Sequence, residues 1–267
     1  MHTTTSYLMR VQPAIDEVGE RIAALAAAAS DPQARLARSD WTVRKATAHL
    51  VTVVPRYADG PEGRGTWVAD RQQLAALNEA QLAAIGTLSM EELAGQLRQH
   101  LAAVRGQLQG YGGQLPTFWF HGGEPVAADL ALGILLAELV VHGFDIARAL
   151  ARPWPIDPYH VELIFQGLDP IAPGWVNPAR ARGLTATFCV HLRSAATHVY
   201  AFRNGHLQVN LAGPHRADVH ISADPAAFLL VLYRRQPQWR HIAAGRLLAW
   251  GRRPWLAPTL AGRFQQP

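Results

Sequence analysis

Residues 125–151 read PVAADLALGILLAELVVHGFDIARALA. Nearly every position is apolar, and the run is long enough for about seven helical turns. It reads as the central helix of a helical core. Three residues do not belong in such a core: Glu138, His142 and Asp145. Glu138 and His142 are four apart, so on a helix they share one face, one turn apart. Asp145 extends the same stripe at i+7 and i+3. Leu135, Val141 and Ala149 around them are apolar. An unpaired carboxylate buried there costs several kcal/mol, so the stripe needs a cation, a hydrogen-bond donor or both. One solution is a Glu138–His142 salt bridge with Asp145 bonded to Arg148 or Arg152. Another is a metal ion.

A second helical stretch bears on that choice. DWTVRKATAHLVTVV, residues 40–54, carries His49 among Ala46, Leu50 and Val53. Two such helices in one bundle can converge on one centre. His49, Glu138 and His142 would then supply three ligands, and three protein ligands with one open position is the pattern of a catalytic metal site. At this stage the core histidine and the metal ligand both remain open.

Working outward, the chain to about residue 150 reads as helices by period and length. VQPAIDEVGERIAALAAAAS is periodic and Ala-rich. Asp40 or Thr42 caps the His49 helix, which Pro55 ends or kinks. A Gly- and Pro-dense loop, DGPEGRG, follows. VADRQQLAALNEAQLAAIG and SMEELAGQLRQHLAAVRGQLQ are helical, and Ser89 with Glu92 forms a capping box at the start of the latter. GYGGQLPTFWFHGGEP, with Tyr111, Trp119 and His121, connects to the long helix as a loop. Four main helices with one long crossover predict a four-helix bundle.

The pattern changes after RPWPIDPYH. VELIFQGLDPIAPGWVNP predicts a short helix and a Pro-rich loop. TATFCVHL, THVYAFR, HLQVNLA and ADVHISAD predict strands, with Asn204-Gly205 as a hairpin turn between the second and third. Asp224-Pro225 opens a helix, and HIAAGRLLAWGRRPWLAPTLAGRF predicts a short strand and a last helix. The expectation is an α+β domain with an antiparallel sheet, joined near residues 152–158 to the bundle, giving domains 1–154 and 155–267.

Composition narrows the function classes. Of 267 residues 49% are hydrophobic and 17% charged, which suits globular cores and not disorder. The amino terminus has no basic segment followed by an apolar one, so no signal peptide is expected. ILLAELVV is short for a bilayer and contains Glu138, which predicts a cytoplasmic protein with no membrane partner. A single cysteine, Cys189, excludes a disulfide framework within the chain and a Cys-rich zinc site; a buried inert thiol is expected, with any metal held by His and carboxylate. The net charge of +5 is carried almost wholly by Arg, with late clusters YRRQPQWRH and GRRPW. These are short and accompany no helix-turn-helix or finger spacing, so nucleic acid is not an expected partner. Arg also suits an anionic small substrate, because its fork matches a carboxylate. Oligomeric state is open.

DWTVRKATAHL and ELVVHGFDIARAL resemble the two metal motifs of the mycothiol-dependent maleylpyruvate isomerase family, within the DinB-like metal-binding four-helix bundles. DVHISADPAAFLLVLY and IAAGRLLAWG resemble the sterol-carrier-protein-like domain that commonly follows. The resemblance spans the chain in the right order. It implies a divalent metal, zinc in most members, on His49, Glu138 and His142. Asp145 matches a recurrent Asp of the second motif and is expected behind the ligands, orienting His142 or pairing with a basic group. Arg246, in AAGR, matches the context of an Arg the isomerase uses in catalysis; otherwise it is a surface Arg in a turn. The resemblance further implies mycothiol, a thiol of actinobacteria, as cosubstrate. The metal would activate it as thiolate for attack on an electrophilic small molecule, as an isomerase or S-transferase. The rival readings are a non-catalytic small-molecule or lipid-binding protein with a structural metal, and a metal-dependent hydrolase.

Overall fold

The computed structural model describes residues 4–58, 67–110, 115–211 and 216–265. The DGPEGRG loop and Tyr111 lie outside the described residues. Its contacts divide the chain into two compact units, Met1–Pro155 and Ile156–Gln266.

The first unit contains α1 (Thr4–Ala27), α2 (Val43–Val53), α3 (Pro55–Ala58), α4 (Leu74–Ala84), α5 (Met90–Gly110) and α6 (Ala128–Ala149). α1 packs on α5 and α6, and α2 packs on the same two helices, which makes the expected bundle. α1 buries Val11, Ile15, Val18 and Ile22, a stripe at helical spacing. The residue that caps α2 is Thr42, whose hydroxyl accepts from the Lys45 N–H at 3.2 Å. Pro55 separates α2 from α3. The capping box closes in both directions: Glu92 N–H donates to Ser89 Oγ at 3.1 Å, and Ser89 N–H to Glu92 Oε2 at 2.6 Å.

Two expectations need correction here. The FWF segment is not a loop: Thr117–Phe120 (β1) pairs antiparallel with Glu124–Ala127 (β2). Its alternation puts Phe118 and Phe120 inside and Trp119 outside, and Gly122 and Gly123 take the positive φ of 89° and 75° that the turn needs. The apolar run is also not short. α6 has 22 residues and is the one described helix long and apolar enough to cross a membrane. Most of it is buried inside the bundle instead, with Leu132, Leu135, Leu136 and Leu139 in the core.

The second unit contains α7 (Pro158–Ile171), α8 (Pro178–Ala181), β3 (Ala186–Leu192), β4 (Thr197–Arg203), β5 (His206–Val209), β6 (Val219–Ala223), α9 (Pro225–Leu232), α10 (Gln238–Ala243) and β7 (Leu247–Gly251). The sheet order is β5-β4-β3-β6-β7. Its pairings are antiparallel except β3–β6, which is parallel. Asn204 and Gly205 turn the β4–β5 hairpin with φ of 49° and 86°, the conformation of a type I′ turn. Asp224 caps α9, its carboxylate accepting from Ala227 N–H at 2.9 Å. One face of β3 buries Phe188, Val190 and Leu192, and Phe165 of α7 meets Phe228 of α9 at 5.5 Å between centroids. The last helix expected near the carboxyl terminus is replaced by two 3-10 segments, 254–259 and 261–263. Pro258, inside the segment, removes an N–H that a continuing α-helix would need.

Candidate metal centre

α2 and α6 pack against each other and bring three of the singled-out residues to one point. His49, on the buried face of α2, stands opposite Glu138 and His142, one turn apart on α6. One potential ligand atom from each lies within 4.8 Å of those of the other two. His142 Nε2 and Glu138 Oε2 are 3.4 Å apart. Two ligands at about 2.1 Å from a tetrahedral zinc ion stand about 3.4 Å apart, so this separation already matches a shared ion. The Nδ1 of His49 is buried with no hydrogen-bond partner among the described residues. A buried imidazole nitrogen without a partner is unusual in a finished core. The donor set fits a divalent ion on these grounds.

The electrostatics favour the same species. Burial, and then the neighbouring His142, lowers the pKa of His49 to about 3, so it is neutral near pH 7 with a lone pair to offer. Burial pushes the Glu138 carboxyl up, but the hydrogen bond and charge of His142, with His49 and Arg56 behind, hold it well below the usual carboxylate range. Glu138 is therefore an anion inside the bundle, with a fifth of its side chain accessible.

Three residues frame the centre that pattern reading did not assign to it. Trp41 lies parallel to the His142 ring at 6.0 Å and tilted over His49 at 4.8 Å, while the two imidazoles meet edge to face at 5.0 Å. Lys45 lies next to Trp41, its Nζ 5.4 Å from that ring and 2.9 Å from Glu79 Oε1. Arg56 is buried on α3. Its guanidinium donates to Asn78 Oδ1 at 2.7 Å and to Gln81 Oε1, and lies 3.3 Å from His121 Nε2. None of these partners carries a negative charge. His121 is buried in the β1–β2 turn and accepts from Val68 N–H at Nδ1, 3.1 Å. Burial and then Arg56 lower its pKa to about 3, as expected of a ring with a donor facing each nitrogen. Trp41 could have been found from its place seven and eight residues before Ala48 and His49. Arg56 follows a proline in a turn-like PRY, and nothing local marks it as buried.

Asp145 lies one turn beyond His142 on α6 and is half-buried. It does not hydrogen-bond His142 Nδ1, which has no hydrogen-bond partner among the described residues. Arg246 belongs to the second unit, with an exposed side chain in the turn between α10 and β7. That turn is held by its backbone: Arg246 N–H donates to His241 carbonyl, and its own carbonyl accepts from Asp224 N–H, both at 2.8 Å.

Residues 13–147 match the family described as "Mycothiol maleylpyruvate isomerase N-terminal domain". The chain is also similar to the crystal structure of the mycothiol-dependent maleylpyruvate isomerase, at 14% identity and a TM-score of 0.52, over 86% of this chain and 90% of that one. A His-to-Ala mutant of that isomerase superposes with a TM-score of 0.55 at 13% identity, over 93% and 95%. No curated protein matches. At these identities the structural likeness is a likeness of fold.

Proposed function

The chain belongs to the mycothiol maleylpyruvate isomerase N-terminal domain family, and on that premise we propose that it is a metal-dependent enzyme that activates a thiol, mycothiol, for attack on an electrophilic small molecule. The observation that carries the reading is the convergence of His49, Glu138 and His142 between α2 and α6. Zinc is the ion proposed, since two imidazoles and a carboxylate with an open position make up a known catalytic zinc set. Bound there, it supplies Lewis acidity that lowers the pKa of a thiol at its open position toward neutrality.

The chain's own residues perform the remaining tasks. His49 is kept neutral by burial and so competes for no proton at neutral pH. The Glu138 anion offsets part of a divalent charge. Trp41 packs along both imidazoles, restricts their rotation and shields one side of the site from water. Arg56 adds positive charge near Glu138 and favours an anionic occupant. Asp145, within the same proposal, pairs with a basic group behind the ligands, and Arg246 binds a carboxylate of the substrate or the thiol. The reaction class is addition of a thiol to an electrophilic carbon. Loss of the thiol after bond rotation gives isomerisation, and release of the adduct gives S-transfer. The second unit is proposed to be sterol-carrier-protein-like. A cytoplasmic location fits a reduced thiol chemistry.

The test is metal analysis of the purified chain beside His49→Ala, followed by mass spectrometry of reactions with mycothiol and maleylpyruvate. An equivalent of divalent metal that the wild type binds and His49→Ala lacks, with thiol-dependent isomer or adduct, is expected. Absence of that equivalent under replete conditions overturns the reading. Metal without any thiol-dependent product leaves the metal centre and removes the thiol chemistry.

A further inference from the structure

The second unit holds another group of metal-ligating side chains, and it contains the only cysteine. Cys189 and His191 are two apart on β3 and so point to the same face of the sheet. The parallel pairing of β3 with β6 sets His220 directly beside Cys189. One ligand atom from each of the three lies within 4.8 Å of the others. His191 Nε2 and His220 Nδ1 are 3.1 Å apart, with ring planes within 11° and centroids 5.4 Å apart. Those values describe two imidazoles edge to edge, sharing one proton between facing nitrogens. On the next strand, Trp250 pairs with His220 and lies parallel to both rings, within 14° and 12°.

We propose that Cys189, His191 and His220 form a second metal site, of the thiolate–bis-imidazole type, for an ion of the zinc class. Three features of the geometry argue for it. Two nitrogen ligands of a tetrahedral zinc ion stand about 3.4 Å apart and a sulfur and a nitrogen about 3.6 Å, so small side-chain rotations complete the set. His191 Nδ1 faces Thr197 Oγ1 at 3.1 Å, which is the outer hydrogen bond that fixes a ligating imidazole with its Nε2 lone pair inward. The thiol is buried, whereas both imidazoles are half-buried, so the ion has an approach from the imidazole side. On binding, the ion takes the place of the shared proton. That proton moves to His220 Nε2, and the thiol proton leaves to solvent. The donor set is softer than that of the bundle site, because sulfur replaces carboxylate.

The full chain, stripped of metal, is titrated with Zn2+ against a chromophoric chelator and separately with Co2+. Two zinc equivalents are expected, and a near-ultraviolet sulfur-to-cobalt charge-transfer band, which His49, Glu138 and His142 cannot produce. His49→Ala keeps the band and loses one equivalent. Cys189→Ser loses the band and the other equivalent, and so does His220→Gln, which leaves the buried thiol in place. Thr197→Val weakens this site by about 10–100-fold. One equivalent carrying the sulfur band supports the sheet site and counts against the bundle centre. No sulfur band in the wild type overturns the proposal, and so does a second equivalent that persists in both Cys189→Ser and His220→Gln.

Discussion

His49→Ala is the sharpest perturbation of the bundle centre, because it deletes one donor and leaves α6 unchanged. Structural zinc sites with four protein ligands bind with roughly 10–16 kcal/mol, so one ligand is worth roughly 3 kcal/mol, or about a hundredfold in Kd. At free zinc about a hundred times the wild-type Kd, binding stabilises the folded unit by about 2.7 kcal/mol. For a unit the size of Met1–Pro155, each kcal/mol moves Tm by roughly 2–4 °C, giving a zinc-induced rise of roughly 5–11 °C. At the same zinc concentration His49→Ala sits near its own Kd, where the gain is about 0.4 kcal/mol and the shift about 1 °C. The variant also loses ring contacts with Trp41 and His142. Each protein is therefore scanned by calorimetry with and without zinc, and only the zinc-induced differences are compared. A Cys189→Ser background removes any contribution from the sheet site. Equal shifts in the two proteins, or no shift in the parent, would refute the reasoning.

Gly143, next to His142, is in contact with the Trp154 ring: a Cβ there would come within 2.2 Å of it. The ring is pinned by its Nε1–H bond to the Val140 carbonyl at 3.1 Å and by Arg21, 4.1 Å from its centroid. Gly143→Ala should thus cost a net of roughly 1–2 kcal/mol in urea unfolding, overpacking outweighing the helix-propensity gain; a stabilised variant would refute the pinning. In the second unit, Asp169 accepts from His198 at 2.7 Å, Tyr200 at 2.9 Å and Asn210 at 2.6 Å. Asp169→Ala strands these donors and is expected to destabilise by about 3–5 kcal/mol, with a loss under 1 kcal/mol counting against the network. Burial raises the Asp218 carboxyl, but Arg252 and the Thr187 N–H outweigh it and lower the pKa on balance. A depressed folded-state pKa means stability that is present above the unfolded Asp value of about 3.9 and is lost as pH falls through the lower folded value. Denaturation midpoints of Asp218→Asn should therefore fall less steeply than the parent's below about pH 4; parallel curves would show that the ion pair is not coupled to folding.

The convergence of His49, Glu138 and His142 was legible because the three residues obey helical periodicity. Glu138 and His142 stand four apart in an otherwise apolar run, and His49 interrupts a second run in the same way, so each helix displays its own anomaly locally. Thr42, the Ser89/Glu92 box and Asn204-Gly205 were legible for the same reason, since caps and turns are decided within a few residues. What escaped depends on partners distant in sequence. Arg56 is buried by Asn78, Gln81 and His121, which are 22, 25 and 65 residues away. The FWF hairpin is the exception, since its partner is only four to ten residues away across the Gly122–Gly123 turn.

The same physics separates the two proposed metal sites. On β3, Cys189 and His191 look like alternating residues of a strand with one wet face, and a strand of that kind carries polar side chains at no cost. Nothing local marks them as ligands until β6 arrives in parallel register, 29 residues after His191, and places His220 beside Cys189. A parallel partner is joined by a crossover, so no turn residue announces the pairing or its register. A one-residue slip would turn His220 to the opposite face and dissolve the cluster. The sheet site is thus a consequence of register, whereas the bundle site is a consequence of helical period, and only the second can be read along the chain. Expecting any metal on His and carboxylate followed from counting cysteines; the proposed sheet site would add the single thiol only because a neighbouring strand supplies the second imidazole.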